Sequence, residues 1–373
     1  MPLGPHVREG NSRAAPPWPI EPNCRPGLVE AGEIGSYPIP PRASPRSVWI
    51  MPHLILIADI GGTSSRLAVV GTDGVPRDIQ IHRNDDFAGF KQMIEADLTR
   101  RGDGARRAVG GAVLAVAGPA DGEIIKLTNR DWSFTKRDMR RHFGWQKFAA
   151  VNDFEALALG VPALGPDDLV AVGSGIAEPD APILVCGPGT GFGTAMLVKQ
   201  GRNRHVLTGE GGRVRLGAAD AEEALLLGHM VRELGPVVVE HAVSGSGLAR
   251  IHRILTGATQ SPEDVITAAK RGDDAARETC NVFLRLFGRI AGDLALITNA
   301  RGGVYLAGGV SAALAPLFAD SPFRDAFAEH PPFEARLIDT PVHIIVHATP
   351  GLIGCGQFGA RLARTLKPGL HVV

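Results

Sequence analysis

The sequence predicts an α/β protein of two consecutive lobes with a cleft between them, and three observations carry that reading. Two aliphatic runs, Leu54-Ile55-Leu56-Ile57 and Ile183-Leu184-Val185-Cys186, have the look of buried strands, and each opens its own series of alternating strands and helices. Each run ends in a glycine-rich turn, Asp59-Ile60-Gly61-Gly62-Thr63 in the first and Gly187-Pro188-Gly189-Thr190-Gly191 in the second. Both turns lead into another strand rather than a helix, which argues against a dinucleotide-binding unit.

Taken in order, the first block should contain strands over 54–59, 66–71, 108–117, 123–127 and 148–152. A helix is expected over 86–101, where Phe90, Met93, Ile94 and Leu98 share one face. A second should cover 135–143, and a third begins at 154–159. The second block gives strands over 183–186, 193–198, 303–307 and 342–347, with helices over 221–234, 245–256, 262–271 and 274–300. Residues 1–50 differ from the rest. Pro16-Pro17-Trp18-Pro19, Pro38-Ile39-Pro40-Pro41 and Pro45 break any regular element there, so a disordered extension is expected. Met51 stands directly before the first strand and is an alternative start.

Bulk properties exclude several functions. The 373-residue chain is 44% hydrophobic and 21% charged with zero formal net charge, so nothing favours nucleic acid or an anionic membrane. Cys24, Cys186, Cys280 and Cys355 are scattered without a CxxC pair, which points away from a zinc knuckle or dithiol centre. No apolar run approaches the ~18 residues a membrane span requires. No basic-then-apolar leader opens the chain, and a reducing, cytoplasmic location is expected.

Paired glycines let backbone N–H groups approach an anion closely. Asp59 at a strand end is suited to holding a metal ion, and the Thr63 hydroxyl to meeting a phosphate oxygen. An ordinary tight hairpin is the plainer alternative. Two such turns, one opening each block, suit a clamp on one polyphosphate. No offset in the second cluster gives GxGxxG, and the chain has no Gly-Lys-Ser/Thr of a P-loop. Between them, Asn152 and Asp153 fall where a strand ends and a helix begins. Capping would explain one of them; the alternative has Asp153 at the cleft, accepting a proton from a substrate hydroxyl. Gly209-Glu210-Gly211-Gly212-Arg213 reads either as a solvated turn or as a polar binding loop. Glu240, ahead of His241-Ala242-Val243-Ser244-Gly245, is by itself a surface acid near a helix start. Gly308-Gly309 either lets a flat ring lie close to the backbone or merely joins a strand to a helix.

In order along the chain, these residues resemble the bacterial glucokinases of the hexokinase–actin–heat-shock ATPase superfamily. The resemblance rests on Ala58-Asp59-Ile60-Gly61-Gly62-Thr63, Leu127-Thr128-Asn129-Arg130-Asp131-Trp132, Asn152-Asp153-Phe154, Gly187–Gly191, Gly209-Glu210-Gly211-Gly212, Glu240 with Ser244-Gly245, and Ala307-Gly308-Gly309. It implies a two-lobed actin-like ATPase (ribonuclease H-like) fold with an interdomain cleft. The small α/β domain would span 53–163 and be completed by a C-terminal helix over 354–373, and the large one would span 164–353. It implies ATP-dependent phosphorylation of the glucose 6-hydroxyl, the first step of glycolysis, with Mg²⁺ and a homodimeric assembly. Asp153 would be the general base. Asn152, Glu210 and Glu240 would bind sugar hydroxyls. Ala58, Asp59, Ile60, Gly61, Gly62 and Thr63, facing Gly189, Thr190 and Gly191, would hold the phosphates, with Asp59 reaching Mg²⁺ through water. Gly308 and Gly309 would lie by the adenosine.

One residue departs from the family pattern. Arg213 stands where the family usually has a sugar-contacting histidine, and arginine is longer, always charged and only a donor. It can replace that contact, turn outward, change the sugar preference or pair with Glu210. A kinase for another hexose and a non-catalytic sugar sensor are the competing readings. The related repressor/open-reading-frame/kinase group carries a cysteine-rich zinc motif after its loop histidine, and no cysteine follows Arg213 until Cys280.

Overall fold

A computed structural model of the chain describes residues 54–127, 130–201 and 203–367. The extension read over 1–50, Met51, Thr128-Asn129 and the last residues of the C-terminal helix read over 354–373 lie outside the described residues.

The first aliphatic run is β1 (Leu54–Ile60), which turns directly into β2 (Ser64–Val70) and then β3 (Arg77–Arg83). After β4 (Val109–Val116), a small separate hairpin of β5 (Ile124–Lys126) and β6 (Ser133–Thr135) precedes β7 (Lys147–Asn152). The sheet order is β3-β2-β1-β4-β7, with β1, β4 and β7 parallel and the β1–β2–β3 meander antiparallel. Side chains alternate across a strand, and this sheet is covered on both faces. Leu56, Ala58 and Ile60 join Phe90, Met93, Ile94 and Leu98 of the helix Phe90–Arg101. Ile55 and Ile57 face the other way, onto Leu352 and Cys355 of the helix Pro350–Ala363. Asp59 has the parity of Ile55 and Ile57, so the strand aims its carboxylate toward that C-terminal helix.

The second sheet comprises β8 (Leu169–Ala171), β9 (Ile183–Pro188), β10 (Phe192–Gln200), β11 (Asn203–Gly209), β12 (Val304–Leu306) and β13 (Val342–Ile345), in the order β11-β10-β9-β12-β13-β8. One core includes Leu184, Cys186 and Phe192 with Phe283 and Phe287 of the long helix Asp274–Thr298. Another joins Val185, Ala195 and Leu197 to Phe154, Ala158 and Leu159 of the helix Asp153–Gly160. Ala156 of that short helix belongs instead to the first sheet's core. The helix Asp153–Gly160 therefore lies between the two sheets, and its first residue is carried to the place where they meet. The C-terminal helix crosses it there: a Cβ on Gly354 would fall 1.6 Å from the Ala156 carbonyl oxygen, so only glycine allows that approach.

Several expected boundaries move. The helix read over 86–101 starts at Phe90 behind Gly89, after a separate 3₁₀ turn over Asn84–Asp86. The C-terminal helix runs over Pro350–Ala363, with proline in its first turn. The edge strands β3, β8 and β11, and β6 of the small hairpin, are additional to the strands read from the sequence. Gly308, at φ 95°, joins β12 to the short helix Gly309–Leu314.

Candidate active site

The β1–β2 hairpin closes through a hydrogen bond from Gly61 N–H to the Ser64 carbonyl at 3.1 Å. A Cβ on Gly61 would come within 2.8 Å of that same oxygen, which explains a glycine here. At the strand end, the Asp59 carboxylate meets the first turn of the helix Pro350–Ala363, where a Cβ on Gly351 would sit 2.7 Å away. A helix N-terminus favours negative charge. Burial still dominates and raises the Asp59 pKa, with nearby Arg66 opposing it.

Asn152 and Asp153 take different parts of the strand-to-helix junction. Asn152 is the N-cap: its Oδ1 accepts from Phe154 N–H at 2.9 Å and Glu155 N–H at 3.3 Å, and its Nδ2 donates to the Gly118 carbonyl at 3.2 Å. The Asn152 side chain also hydrogen-bonds the Asp153 carboxylate, which draws the Asp153 pKa down. Asp153 begins the helix, where its carboxylate accepts from Phe154 N–H at 3.0 Å. Burial pushes its pKa up from an ordinary 3.8 to about 6; the Phe154 hydrogen bond opposes this and the negative charge of Asp59 adds to it. Next to it, the Phe154 ring covers Gly193 of β10, where a Cβ would lie 2.0 Å from the ring. Asp153 thus lies within electrostatic reach of the first glycine hairpin and next to a side chain packed on the second.

That second hairpin is assembled from glycines that touch backbone. A Cβ on Gly187 would lie 2.1 Å from the Ala307 carbonyl oxygen, and one on Gly308 would lie 2.2 Å from that of Pro188. The Gly189 carbonyl accepts from Gly245 N–H at 3.0 Å, which ties the turn to the start of the helix Gly245–Thr256. The structure thereby brings Gly187–Gly191, Gly308-Gly309 and Ser244-Gly245 together, although they are far apart in sequence.

Glu240 lies beside the same turn. Its Oε2 would be 2.9 Å from a Cβ on Gly191 and 3.3 Å from one on Gly212. Arg213 ends a 3₁₀ turn over Gly211–Arg213 and pairs with Glu240 at 2.7 Å. The pairing with Glu210 that the sequence left open is not the one formed. Glu210 instead lines a cavity of about 560 Å³ together with Gly118, Asp121, Lys136, Asn152 and Glu155. The cavity walls come from both sheets. Glu155 and Lys136 were not singled out from the sequence; Glu155 stands three residues after the N-cap, its pKa raised mainly by burial. Asp153, Glu240 and Arg213 are not among the residues lining this cavity. Among the described residues, no helix is long and apolar enough to cross a membrane.

A family model described as Glucokinase matches residues 56–362. The glucokinase of Chelativorans sp. (strain BNC1) is 37% identical over 318 residues, covering 83% of this chain and 92% of the relative. That of Paramagnetospirillum magneticum is 38% identical over 314 residues, covering 82% and 97%. Among solved structures, a glucokinase from an Antarctic psychrotroph superposes with a TM-score of 0.74 at 28% identity, covering 83% of this chain and 99% of the other. A ROK family glucokinase from Streptomyces griseus, in complex with glucose and AMPPNP, superposes at 0.56 with 19% identity and the same coverage of 83% and 99%, a likeness of fold alone.

Proposed function

The chain belongs to the glucokinase family, an ATP-dependent hexose kinase on the two-lobed actin-like ATPase fold, and from that premise we propose how its residues divide the transfer. Asp153 accepts the proton of the sugar 6-hydroxyl. The observation that carries this role is its setting: a carboxylate between the two glycine hairpins, with a pKa raised to about 6 by burial and by Asp59. Such a group is about nine-tenths ionised at pH 7 and still takes a proton readily once the nucleophile has attacked. Phosphoryl transfer needs mainly orientation and charge stabilisation, so a base of this strength suffices.

The Asn152 side chain binds a sugar hydroxyl, and Glu210 and Glu240 accept from others. Arg213 shares Glu240 and sets which sugars that carboxylate receives. The turn Gly61-Gly62-Thr63, through the N–H groups of Gly62 and Thr63, and across the cleft the turn Gly189-Thr190-Gly191, through those of Thr190 and Gly191, receive the phosphates. Gly308 and Gly309 flank the adenosine. A hard, oxygen-only donor beside the phosphate turn suits Mg²⁺, which binds through one or two carboxylates, water and the nucleotide's own phosphates. Asp59 is that carboxylate, held through water, and the ion would neutralise charge on the transferring group.

We divide the chain into a lobe of 53–163 with the C-terminal helix and a lobe of 164–353. Sugar binding draws them together and excludes water from the reacting atoms. A cytoplasmic homodimer is proposed on the family likeness, and light scattering of the purified protein tests the assembly. The activity itself is tested by a coupled assay across a panel of hexoses and phosphoryl donors. Asp153→Ala should abolish turnover with glucose and ATP while calorimetric sugar binding persists. Near-normal turnover in that variant would remove Asp153 from the role of base.

A further inference from the structure

The first phosphate turn is held from behind by two side chains outside its own sequence. Asn84, fully buried, donates from Nδ2 to the carbonyls of Gly61 at 2.8 Å and Gly62 at 3.1 Å. Its backbone N–H donates to the Thr63 carbonyl at 2.9 Å, and its Oδ1 accepts from the buried Ser65 hydroxyl at 2.7 Å. Arg130 adds a hydrogen bond from Nε to the Gly62 carbonyl at 2.9 Å, with its guanidinium 5.2 Å from the Trp132 ring centroid and paired with Asp85. In a trans peptide the C=O and the N–H point in opposite directions. Three consecutive carbonyls drawn toward Asn84 therefore turn the N–H groups of Gly62, Thr63 and Ser64 the other way, as a nest of donors for an anion.

We propose that Asn84 and Arg130 are positioning residues for phosphoryl transfer, which preset this nest for the ATP phosphates by fixing the peptide planes of Gly61, Gly62 and Thr63. Neither residue lines the cavity that holds Glu210 and Asn152. The inference rests on the reading of Asp59–Thr63 as a phosphate turn, and the test separates the two. With freed peptide planes, the turn must be ordered by the nucleotide itself, which costs binding and alignment.

Steady-state kinetics in both substrates and calorimetric glucose binding would be measured for Asn84→Asp, Arg130→Ala, Arg130→Lys and Gly61→Ala. Asn84→Asp keeps the shape but presents an acceptor to two carbonyls. It should raise KM for ATP about tenfold and lower kcat, with the glucose Kd within about twofold of wild type. Arg130→Ala should do the same to a smaller extent, and Arg130→Lys should recover part of the loss. A purely structural role would lower the melting temperature and the active fraction without moving KM for ATP. If Gly61→Ala impairs ATP use while folded Asn84→Asp and Arg130→Ala keep KM for ATP within about twofold of wild type, the positioning role falls and the phosphate turn stands. If Gly61→Ala is also silent, the phosphate turn itself is wrong. Should the Asn84 variant fail to fold, the Arg130 pair decides.

Discussion

Replacing Asp153 with asparagine should separate what the carboxylate contributes to catalysis from what it costs the fold. With a pKa raised to about 6, Asp153 is about nine-tenths protonated at pH 5, where a carboxyl at its ordinary 3.8 would be mostly ionised. If it is the base, kcat/KM for glucose should fall about tenfold from its plateau by pH 5, with a slope of one below about pH 6. ATP titrates in a neighbouring range, so Asp153→Asn is the control: its residual rate should lack this limb.

The stability consequence has the opposite sense. A raised native pKa means that the folded state binds the proton more tightly than the unfolded chain. Its stabilising contribution is complete below the unfolded pKa of 3.8 and is lost as pH rises through about 6. The interval from 3.8 to about 6 corresponds to at most ~3 kcal/mol, at 1.36 kcal/mol per pH unit. Asparagine retains an oxygen that can accept from Phe154 N–H, without the charge. Asp153→Asn should therefore raise the chemical-denaturation stability of the nucleotide-free protein by about 1–3 kcal/mol at pH 8 and leave it nearly unchanged at pH 3.5. Equal stability of the two proteins across this range would refute the strained-carboxylate argument, whatever the kinetics showed.

Two further outcomes follow from close contacts. The Arg213–Glu240 pair is 65% exposed on the arginine side and 21% on the glutamate, so it contributes no more than about 1 kcal/mol. Arg213→Ala should lower KM for glucose about two- to fivefold by releasing Glu240, with KM for ATP unchanged; a rise in KM, reversed by Arg213→His, would instead make Arg213 a sugar ligand. Gly354→Ala drives a methyl group into the Ala156 carbonyl, where backbone must move, and should cost about 3 kcal/mol in denaturant titrations; a change under about 0.5 kcal/mol would mean that the two helices separate freely.

The parts of this architecture legible in the sequence are those that bury a continuous apolar run or need glycine. β1 and β9 declare themselves by runs of three or more aliphatic residues, and their hairpins by glycines that a Cβ would block. The missed strands lie at sheet edges. β3 reads Arg-Asp-Ile-Gln-Ile-His-Arg and β11 reads Asn-Arg-His-Val-Leu-Thr-Gly, each mostly exposed. Such a strand is specified by its hairpin partner more than by its own pattern. The helix Phe90–Arg101 starts later than the 86 read from the sequence, because Asp85 and Asp86 belong to the 3₁₀ turn that supplies Asn84. No local pattern could reveal that Asn84 reaches back 23 residues to Gly61, or Arg130 back 68 to Gly62. The partner of Arg213 was equally hidden. Glu210 is nearer in sequence, but the 3₁₀ turn over Gly211–Arg213 and the Cβ-free surfaces of Gly191 and Gly212 give Glu240 the place beside it.

At the junction Asn152-Asp153, capping by one residue leaves the next free for the proposed role of base. A strand that ends between two lobes and a helix that begins there need an N-cap, and Asn152 supplies it. The residue after an N-cap has its backbone fixed by the first helical turn, so a carboxylate placed there is held without further support. Packing of Phe154 on Gly193 and of Ala156 against Gly354 then fixes the helix between both sheets. The same contacts that desolvate Asp153, and so raise its pKa, also hold it between the two glycine hairpins. Burial is thus the common origin of its position and its basicity, and a substitution that loosened the helix should weaken both together.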